Sequence, residues 1–439
     1  MAEVVGVLRN AALLQIRQIE RASSRLPSGR GGQLRFLLLH AVERFDVLLS
    51  QYDRELETIS QTAMPEAAAI GLRANVAQKF ERLGQQLHVT YQLLNTYKDS
   101  VGRTDVPIGL QHLLGVVLQE LATQPADPIV HPDPHRMYST KDLVELLDEL
   151  LTRPGDRPFR DSYTGPHPIV FNLPALDPSN ALLSPVIAHE VGHTAVEETL
   201  RAELGTRIDA DVQQLLQHHL PNLPQPVAER VRGIFRAWCG ELICDAVALI
   251  ATGPAFALAF ASFAPPGSTA GISTTHPSVS DRVGFHLQIL DELGWTPLIV
   301  RRLPTIHAWF TEISASPLLA GDNVESFLRA AMTRVATEVT DIARGHVDAP
   351  LDPIESDALL DTLVKSVTSG IPAVEVGETV AGPWQIILAG WIAAINPDYP
   401  AGEQLLDAAD NDGLNALLIK SLELSSIVTS WRQHDRSGS

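Results

Sequence analysis

The chain has little cysteine, few aromatic residues and fewer basic than acidic residues. Its two cysteines, Cys239 and Cys244, lie five positions apart on one predicted helix, a poor geometry for a disulfide, so no oxidising compartment is indicated. Aromatic residues make up 5% of the sequence, and with abundant Ala and Leu this favours helices over an all-β architecture. The net charge of −19 repels phosphate backbones, so we expect no nucleic-acid partner.

The sequence also lacks an uninterrupted apolar run that is typical of a membrane span. Its most apolar window, residues 246–264, is broken by Gly253-Pro254, which predicts a pair of buried helices. The N-terminal stretch contains Glu3 and Arg9 and no small-residue cleavage site, unlike a signal peptide. We therefore expect a soluble, cytoplasmic protein without stable transmembrane insertion.

The spacing of apolar residues predicts a mainly α fold with a small β component. Helical spacing runs through residues 1–122, stops at the prolines of 124–135, and returns from about 179 onward. Thr140 is the predicted N-cap of a short helix over 140–152. Ile169–Leu173 is the clearest strand, and the prolines on both sides of it are typical of an edge strand.

These breaks divide the chain into three expected regions. They are an N-terminal helical region (1–125), a central region that contains the strand and the motifs described next (126–300), and a C-terminal helical region (301–439). The first region is near neutral, and its first 35 residues are rich in arginine, from Arg9 to Arg35. That basic segment either packs on the acidic remainder of the protein or docks on an acidic partner.

The segment His189–His193 reads H-E-V-G-H, a pattern that carries metal chemistry. Residues four apart differ by about 40° around a helix, so both imidazoles can reach one ion. Glu190 lies on the same side. The alternative is a solvated glutamate between two helix histidines, which would need no metal.

Glu241 and Asp245 provide a second element, 48 residues beyond His193 and also four apart on a predicted helix. A tetrahedral catalytic zinc needs a third protein ligand and an open position. One carboxylate can bind the ion while the other orients a liganding imidazole. The surrounding sequence is apolar, and two carboxylates on a buried helix need a partner.

The third element is the segment Thr275–Arg282, which contains His276-Pro277 and ends in an arginine. The order H-E-x-x-H, E-x-x-x-D and H-P-x-x-x-x-R resembles the M48 (Ste24/HtpX-type) gluzincin metallopeptidases over about residues 165–290. The resemblance implies a gluzincin-like core, with an active-site helix and a small edge sheet, between two helical regions.

The resemblance also implies a role for each matching residue. His189, His193 and Glu241 would bind one Zn²⁺ per chain, and Glu190 would act as the general base. Asp245 would orient a liganding imidazole, His276 would hydrogen-bond the oxyanion, and Arg282 would brace the site. With these roles the protein would be a zinc metalloendopeptidase with a protein or peptide substrate.

Two questions stay open at the level of sequence. An extended substrate could add to the strand edge at Ile169, Val170, Phe171 and Asn172. The alternative function is a latent or catalytically silent zinc-binding helical scaffold, although a scaffold has no use for Glu190. The flanking helices are where a regulatory partner would dock, or where apolar contacts of Leu8, Ile16 and Ile19 would hold the N-terminal region against the core.

Overall fold

The computed structural model describes residues 2–27, 32–101, 106–121, 126–133, 138–152, 157–174, 180–195, 197–263, 273–315, 323–395 and 411–437. It is mainly helical with a small β component, which confirms the fold class expected from composition and periodicity. The chain forms two compact units. Unit 1 comprises Met1–Asp105, Gln124–Met137 and Lys141–Leu173, and unit 2 comprises Val106–Thr123, Tyr138–Thr140 and Pro174–Ser439.

This division differs from the three consecutive regions expected from the sequence. The C-terminal residues 301–439 belong to the same unit as the three motifs, and so does the helical segment 106–123. The chain passes between the units more than once, so each unit is built from separate segments of the sequence.

Unit 1 is built on three long helices. Its elements are α1 (Ala2–Ser23), α2 (Gln33–Gln61), α3 (Glu66–Tyr97), β1 (Ala126–Asp133), α5 (Leu143–Leu151) and β3 (His167–Pro174). Ile16 and Ile19 are fully buried in the core that these helices share, so their apolar contacts are made inside unit 1. Arg9 of α1 forms a two-bond ion pair with Asp53 of α2, at 2.7 and 2.8 Å. Part of the basic N-terminal face is therefore neutralised within its own unit.

The small sheet has the strand order β1-β3-β2, where β2 is Ser139–Asp142. The predicted strand at 169–173 exists, but its assignment to an edge is wrong, because β3 is hydrogen-bonded to a neighbour on each side. Ile169, Val170, Phe171 and Asn172 are all buried. A run that is apolar on both faces is typical of a central strand, and its flanking prolines lie at the ends, where they cost no ladder bond.

The N-cap of α5 is Asp142 and not Thr140, as the sequence predicted. The Asp142 carboxylate accepts the backbone N–H groups of Val144 and Glu145. A carboxylate at this position also favours the positive end of the helix dipole. Thr140 contributes instead to the helix that carries the histidine motif, as described below.

Unit 2 contains the remaining helices and a two-stranded ribbon. Its elements are α4 (Ile108–Leu121), α6 (Val186–Ala195), α7 (Glu197–His219), α8 (Gln225–Thr252), α9 (Pro254–Phe263), α10 (Val279–Glu292), α11 (Thr296–Arg302), α12 (Pro304–Ser314), α13 (Asn323–Arg344), α14 (Pro353–Thr368), β4 (Glu375–Val376), β5 (Thr379–Val380), α15 (Pro383–Ile395) and α16 (Asn411–Ser437).

The most apolar window of the sequence forms the end of α8 and all of α9, which confirms the predicted pair of buried helices. Gly253 joins them at φ +60°, and a Cβ there would lie 2.8 Å from the Trp295 ring, so glycine is required at this turn. Among the helices that the structure describes, none combines the length and hydropathy needed to cross a bilayer.

Candidate metal centre

The two histidines of the H-E-V-G-H motif meet on one face of α6. Their Nε2 atoms are 3.1 Å apart, and the rings are edge to face with centroids 4.8 Å apart. The helix places them there because residues four apart stand one above the other. His189 is buried, whereas the His193 side chain keeps 29% of its surface exposed.

Glu241 of α8 completes a triangle of potential ligand atoms. Its Oε2 lies 3.6 Å from Nε2 of His189, and its Oε1 lies 3.5 Å from Nε2 of His193. Ligand atoms held about 2.0–2.1 Å from a tetrahedral Zn²⁺ are separated by about 3.3 Å. The spacing and the donor set of two imidazoles and one carboxylate therefore fit a zinc ion, and these three residues form a group that could hold a metal.

Close packing of α6 on α8 makes this triangle possible. A Cβ added to Gly192 would lie 3.2 Å from Cα, Cβ and Sγ of Cys244. Glycine between the two histidines therefore lets the α6 backbone approach α8 at Cys244. Glu241 lies one turn before Cys244 on α8, so this close approach also brings Glu241 near the histidines. Neither Cys239 nor Cys244 forms a disulfide, and both side chains are buried.

Asp245 lies behind the triangle and is fully buried. Arg282 of α10 binds it with two hydrogen bonds, from Nε to Oδ2 at 2.8 Å and from Nη2 to Oδ1 at 2.5 Å. Nδ1 of His189 lies 2.8 Å from Oδ1 of Asp245, at ion-pair distance. A carboxylate next to the other ring nitrogen is the partner that metal-bound imidazoles commonly have.

Arg282 contacts both carboxylates of the site. Its Nη1 lies 3.3 Å from Oε2 of Glu241, and its guanidinium stands 4.4 Å from the centroid of the Phe260 ring. The cation and the aromatic face fix the position of Asp245 relative to Glu241. Sequence reasoning placed Arg282 in the site only through a family resemblance, whereas the structure provides its contacts.

His286 is a member of the site that sequence reasoning missed. Its Nε2 lies 2.9 Å from Oδ2 of Asp245, and its side chain is 1% exposed. Burial lowers the pKa of His286, so the ring is neutral near pH 7 and carries its proton on Nε2 toward Asp245. The missed signal was spacing, since His286 follows Arg282 by four residues and therefore shares its face of α10.

Replacing His286 by Leu is expected to weaken zinc binding by about tenfold, because Asp245 loses one of the bonds that orient it. His286→Gln should recover part of that affinity, since its amide can donate a hydrogen bond from nearly the same place. Chelator-competition titration measures the dissociation constant for zinc in each variant. Equal zinc affinity in wild type and His286→Leu would mean that His286 only fills space.

Glu190 faces the site from the same helix as the two histidines. Burial raises its pKa, with the nearby carboxylate of Glu241 adding to the rise and the histidines opposing it. Its carbonyl oxygen accepts hydrogen bonds from the hydroxyls of Thr140 and Thr194. Thr140, predicted as a helix cap, thus ties its segment to α6 inside unit 2.

His276 reaches the site from a loop and is the most exposed member, at 55% of its side chain. Its Nε2 lies 3.3 Å from Oε1 of Glu241, while its Nδ1 hydrogen-bonds the Thr275 hydroxyl at 2.7 Å. Trp238 of α8 anchors the loop by donating its indole N–H to the Ser273 carbonyl at 3.0 Å. The sequence did not indicate that Trp238 would bind the segment around Ser273.

The charged groups of the site shift one another's pKa values. Burial lowers the pKa of His189, but contacts with Asp245 and Glu241 outweigh it and raise that pKa to about 9. Burial likewise disfavours the ionised carboxylates, yet Arg282 and the histidines hold the pKa values of Glu241 and Asp245 below their usual range. Both carboxylates are therefore ionised at pH 7, as binding of a divalent cation requires, whereas His189 is protonated there and must release a proton before its Nε2 can bind the cation.

Direct contacts join six of the residues predicted from the sequence, and Glu190 lies on the same helix as two of them. The six are His189, His193, Glu241, Asp245, His276 and Arg282. It does not support strand addition at Ile169, Val170, Phe171 and Asn172. Both edges of β3 are already paired, and its side chains are buried.

No family model, curated protein or solved structure matches the chain. The site is defined by its own geometry: His189, His193 and Glu241 converge on one point, Asp245 lies behind them, and Glu190 lies between the two histidines on α6. Nitrogen and carboxylate ligands of this kind are typical of zinc sites and are shared by other first-row metals.

Proposed function

We propose that the protein is a zinc-dependent metalloendopeptidase of the M48-like gluzincin type. The observation that carries this proposal is the convergence of Glu241 with the two histidines of H-E-V-G-H, while Glu190 lies between those histidines on the same helix. A purely structural site has no need for a carboxylate beside the ion in addition to its ligands. Three protein ligands and an open fourth position are characteristic of catalytic zinc.

His189, His193 and Glu241 would hold the ion. Zinc bound there would supply Lewis acidity that polarises the scissile carbonyl and acidifies the attacking water. Asp245 would orient His189 through Nδ1, and Arg282 and His286 would orient Asp245. Buried, mutually constrained partners of this kind keep ligand atoms in place without further rearrangement.

Glu190 would accept a proton from the attacking water and deliver it to the leaving amine, so its carboxylate returns to its starting state after each turnover. Its raised pKa favours that role, since a base whose pKa is nearer the working pH also returns the proton readily. His276 would donate a hydrogen bond from Nε2 to the oxygen on which negative charge develops. Its Nδ1 contact with Thr275 and its exposed position are compatible with a group that meets substrate.

A specific observation favours a second candidate, a helical scaffold with a polar cluster that needs no metal. Arg282 and His276 both lie 3.3 Å from Glu241, so the carboxylate has cationic or donor partners within the chain itself. Such a cluster satisfies its buried charge without an ion. The scaffold proposal predicts a stable protein that neither retains zinc nor cleaves peptides.

Zinc content and cleavage of a peptide library, measured on the same preparation, test the enzyme proposal. We expect one zinc per chain by mass spectrometry, cleavage that stops with a chelator, and recovery on adding zinc. Glu241→Gln should weaken zinc retention by removing a charged ligand, whereas Glu229→Gln, at an exposed position of the same helix, should leave it unchanged. Stoichiometric zinc with unchanged affinity in Glu241→Gln would remove Glu241 from the ligand set.

A further inference from the structure

A cavity of about 390 Å³ lies between α7 and α8, on a part of unit 2 that the proposed reaction does not use. Its floor is apolar: Leu204, Ile208 and Val212 of α7 face Phe235 of α8, and all four side chains are buried. The volume is within the range of small-molecule sites, about 300–1,000 Å³, toward its lower end.

Gly205 lines this cavity from within α7. A Cβ added to Gly205 would meet no atom within 4 Å, so no neighbouring helix requires a glycine there. Glycine in a helix interior is less favourable than alanine. The missing side chain therefore widens the cavity at a cost in helix stability.

The rim of the cavity is cationic in a chain of net charge −19. Arg232 and Arg236 stand one helical turn apart on α8, and Asp209 is the acidic residue of the lining. Arg232 donates a hydrogen bond to the Gln213 side chain at 3.2 Å. Arg236 makes no hydrogen bond or ion pair with any residue that the structure describes, although acidic residues are abundant in the sequence. Two like charges at this spacing destabilise a helix, and an anion bound between them would offset their repulsion.

We propose that this cavity binds a small amphipathic carboxylate, with its apolar body on the floor and its carboxylate at Arg236 and Arg232. An apolar floor with a few converging polar groups is the usual composition of a ligand site, and the guanidinium plane matches a carboxylate. The site is separate from the metal centre and does not depend on the proposed function. Decanoate is the probe for its chemistry, and decanol tests the apolar body alone.

Calorimetric titration of the full-length protein with decanoate is expected to show saturable binding of one molecule per chain. Arg236→Gln should weaken it by about tenfold or more, as loss of a charge-assisted hydrogen bond does. Arg230→Gln, at an exposed position of α8 outside the cavity, is the matched control and should bind like wild type. Gly205→Leu should abolish saturable binding by filling the cavity, while leucine favours the helix and keeps the variant folded.

Cys239 offers a second readout because it also lines the cavity. Decanoate should slow alkylation of Cys239 in wild type and in Arg230→Gln, and should have no such effect in Gly205→Leu. Equal affinity for decanoate and decanol, wild-type affinity in Arg236→Gln, or absence of saturable decanoate binding would each overturn the proposal. Binding of an acidic, apolar peptide in place of decanoate would also overturn it, because the occupant would then be a protein segment.

Discussion

Substituting Gln for Glu190 is expected to lower the rate of peptide cleavage by about 10²–10⁴-fold while zinc stays bound. A positioned general base contributes a factor of that size, and the amide that replaces it cannot accept the proton of the attacking water. Glu190 is not one of the three residues whose ligand atoms converge, so zinc retention should be unchanged. Because burial already disfavours the charged form of Glu190, a neutral isostere should not destabilise the fold.

Rates of cleavage of one library-derived peptide and zinc content of the same samples provide the measurement. Glu203→Gln is the control for the same substitution outside the site and should retain full activity, because Glu203 is a half-exposed residue of α7 whose carboxylate pairs with Arg207. Cleavage by Glu190→Gln at the wild-type rate would contradict the enzyme proposal. Zinc bound with no cleavage by either protein would instead favour the latent or silent scaffold.

Replacing Asp245 by Leu is expected to destabilise unit 2 by about 3–5 kcal/mol, the usual cost of removing one partner from a buried ion pair. Arg282 and His286 both point at this carboxylate and are themselves buried. Without Asp245, the contacts of the guanidinium that remain among the described residues are Glu241 at 3.3 Å and the ring of Phe260. The buried guanidinium therefore loses two charge-assisted hydrogen bonds and keeps one carboxylate neighbour at a longer distance.

Urea denaturation followed by tryptophan fluorescence measures this effect selectively, because all six tryptophans of the sequence lie in unit 2. Chelator in every sample keeps metal binding from adding to stability. The double variant Asp245→Leu with Arg282→Met should lose much less than the sum of the single variants. Asp211→Leu, which removes the half-exposed partner of the exposed Arg334 side chain, should change the unfolding free energy by about 0–1 kcal/mol. Similar losses for Asp245→Leu and Asp211→Leu would show that the buried network does not hold the unit together.

Local spacing in the sequence was enough to predict the main elements of the fold. The apolar residues of α2 recur at helical intervals, and the break at Gly253-Pro254 separates two buried helices where the sequence predicted it. It also predicted that the pairs His189/His193 and Glu241/Asp245 would each share a helix face. Such features depend on backbone geometry over a few residues, so they are visible without knowledge of distant contacts.

The sequence could not determine which separate segments would meet. It placed β3 at an edge, although strands on both sides pair with it, and it assigned the cap of α5 to Thr140, although Asp142 makes those bonds. His286 was not predicted because it acts on the site through its hydrogen bond with Asp245, which lies 41 residues earlier in the chain. The sequence by itself therefore determined helix faces and the candidate ligand pairs, while tertiary structure alone decided strand order, the partners of Asp245 and the cavity beside α8. The physical reason is that periodicity is a local property of the backbone, whereas hydrogen-bond partners and packing depend on contacts between residues far apart in sequence.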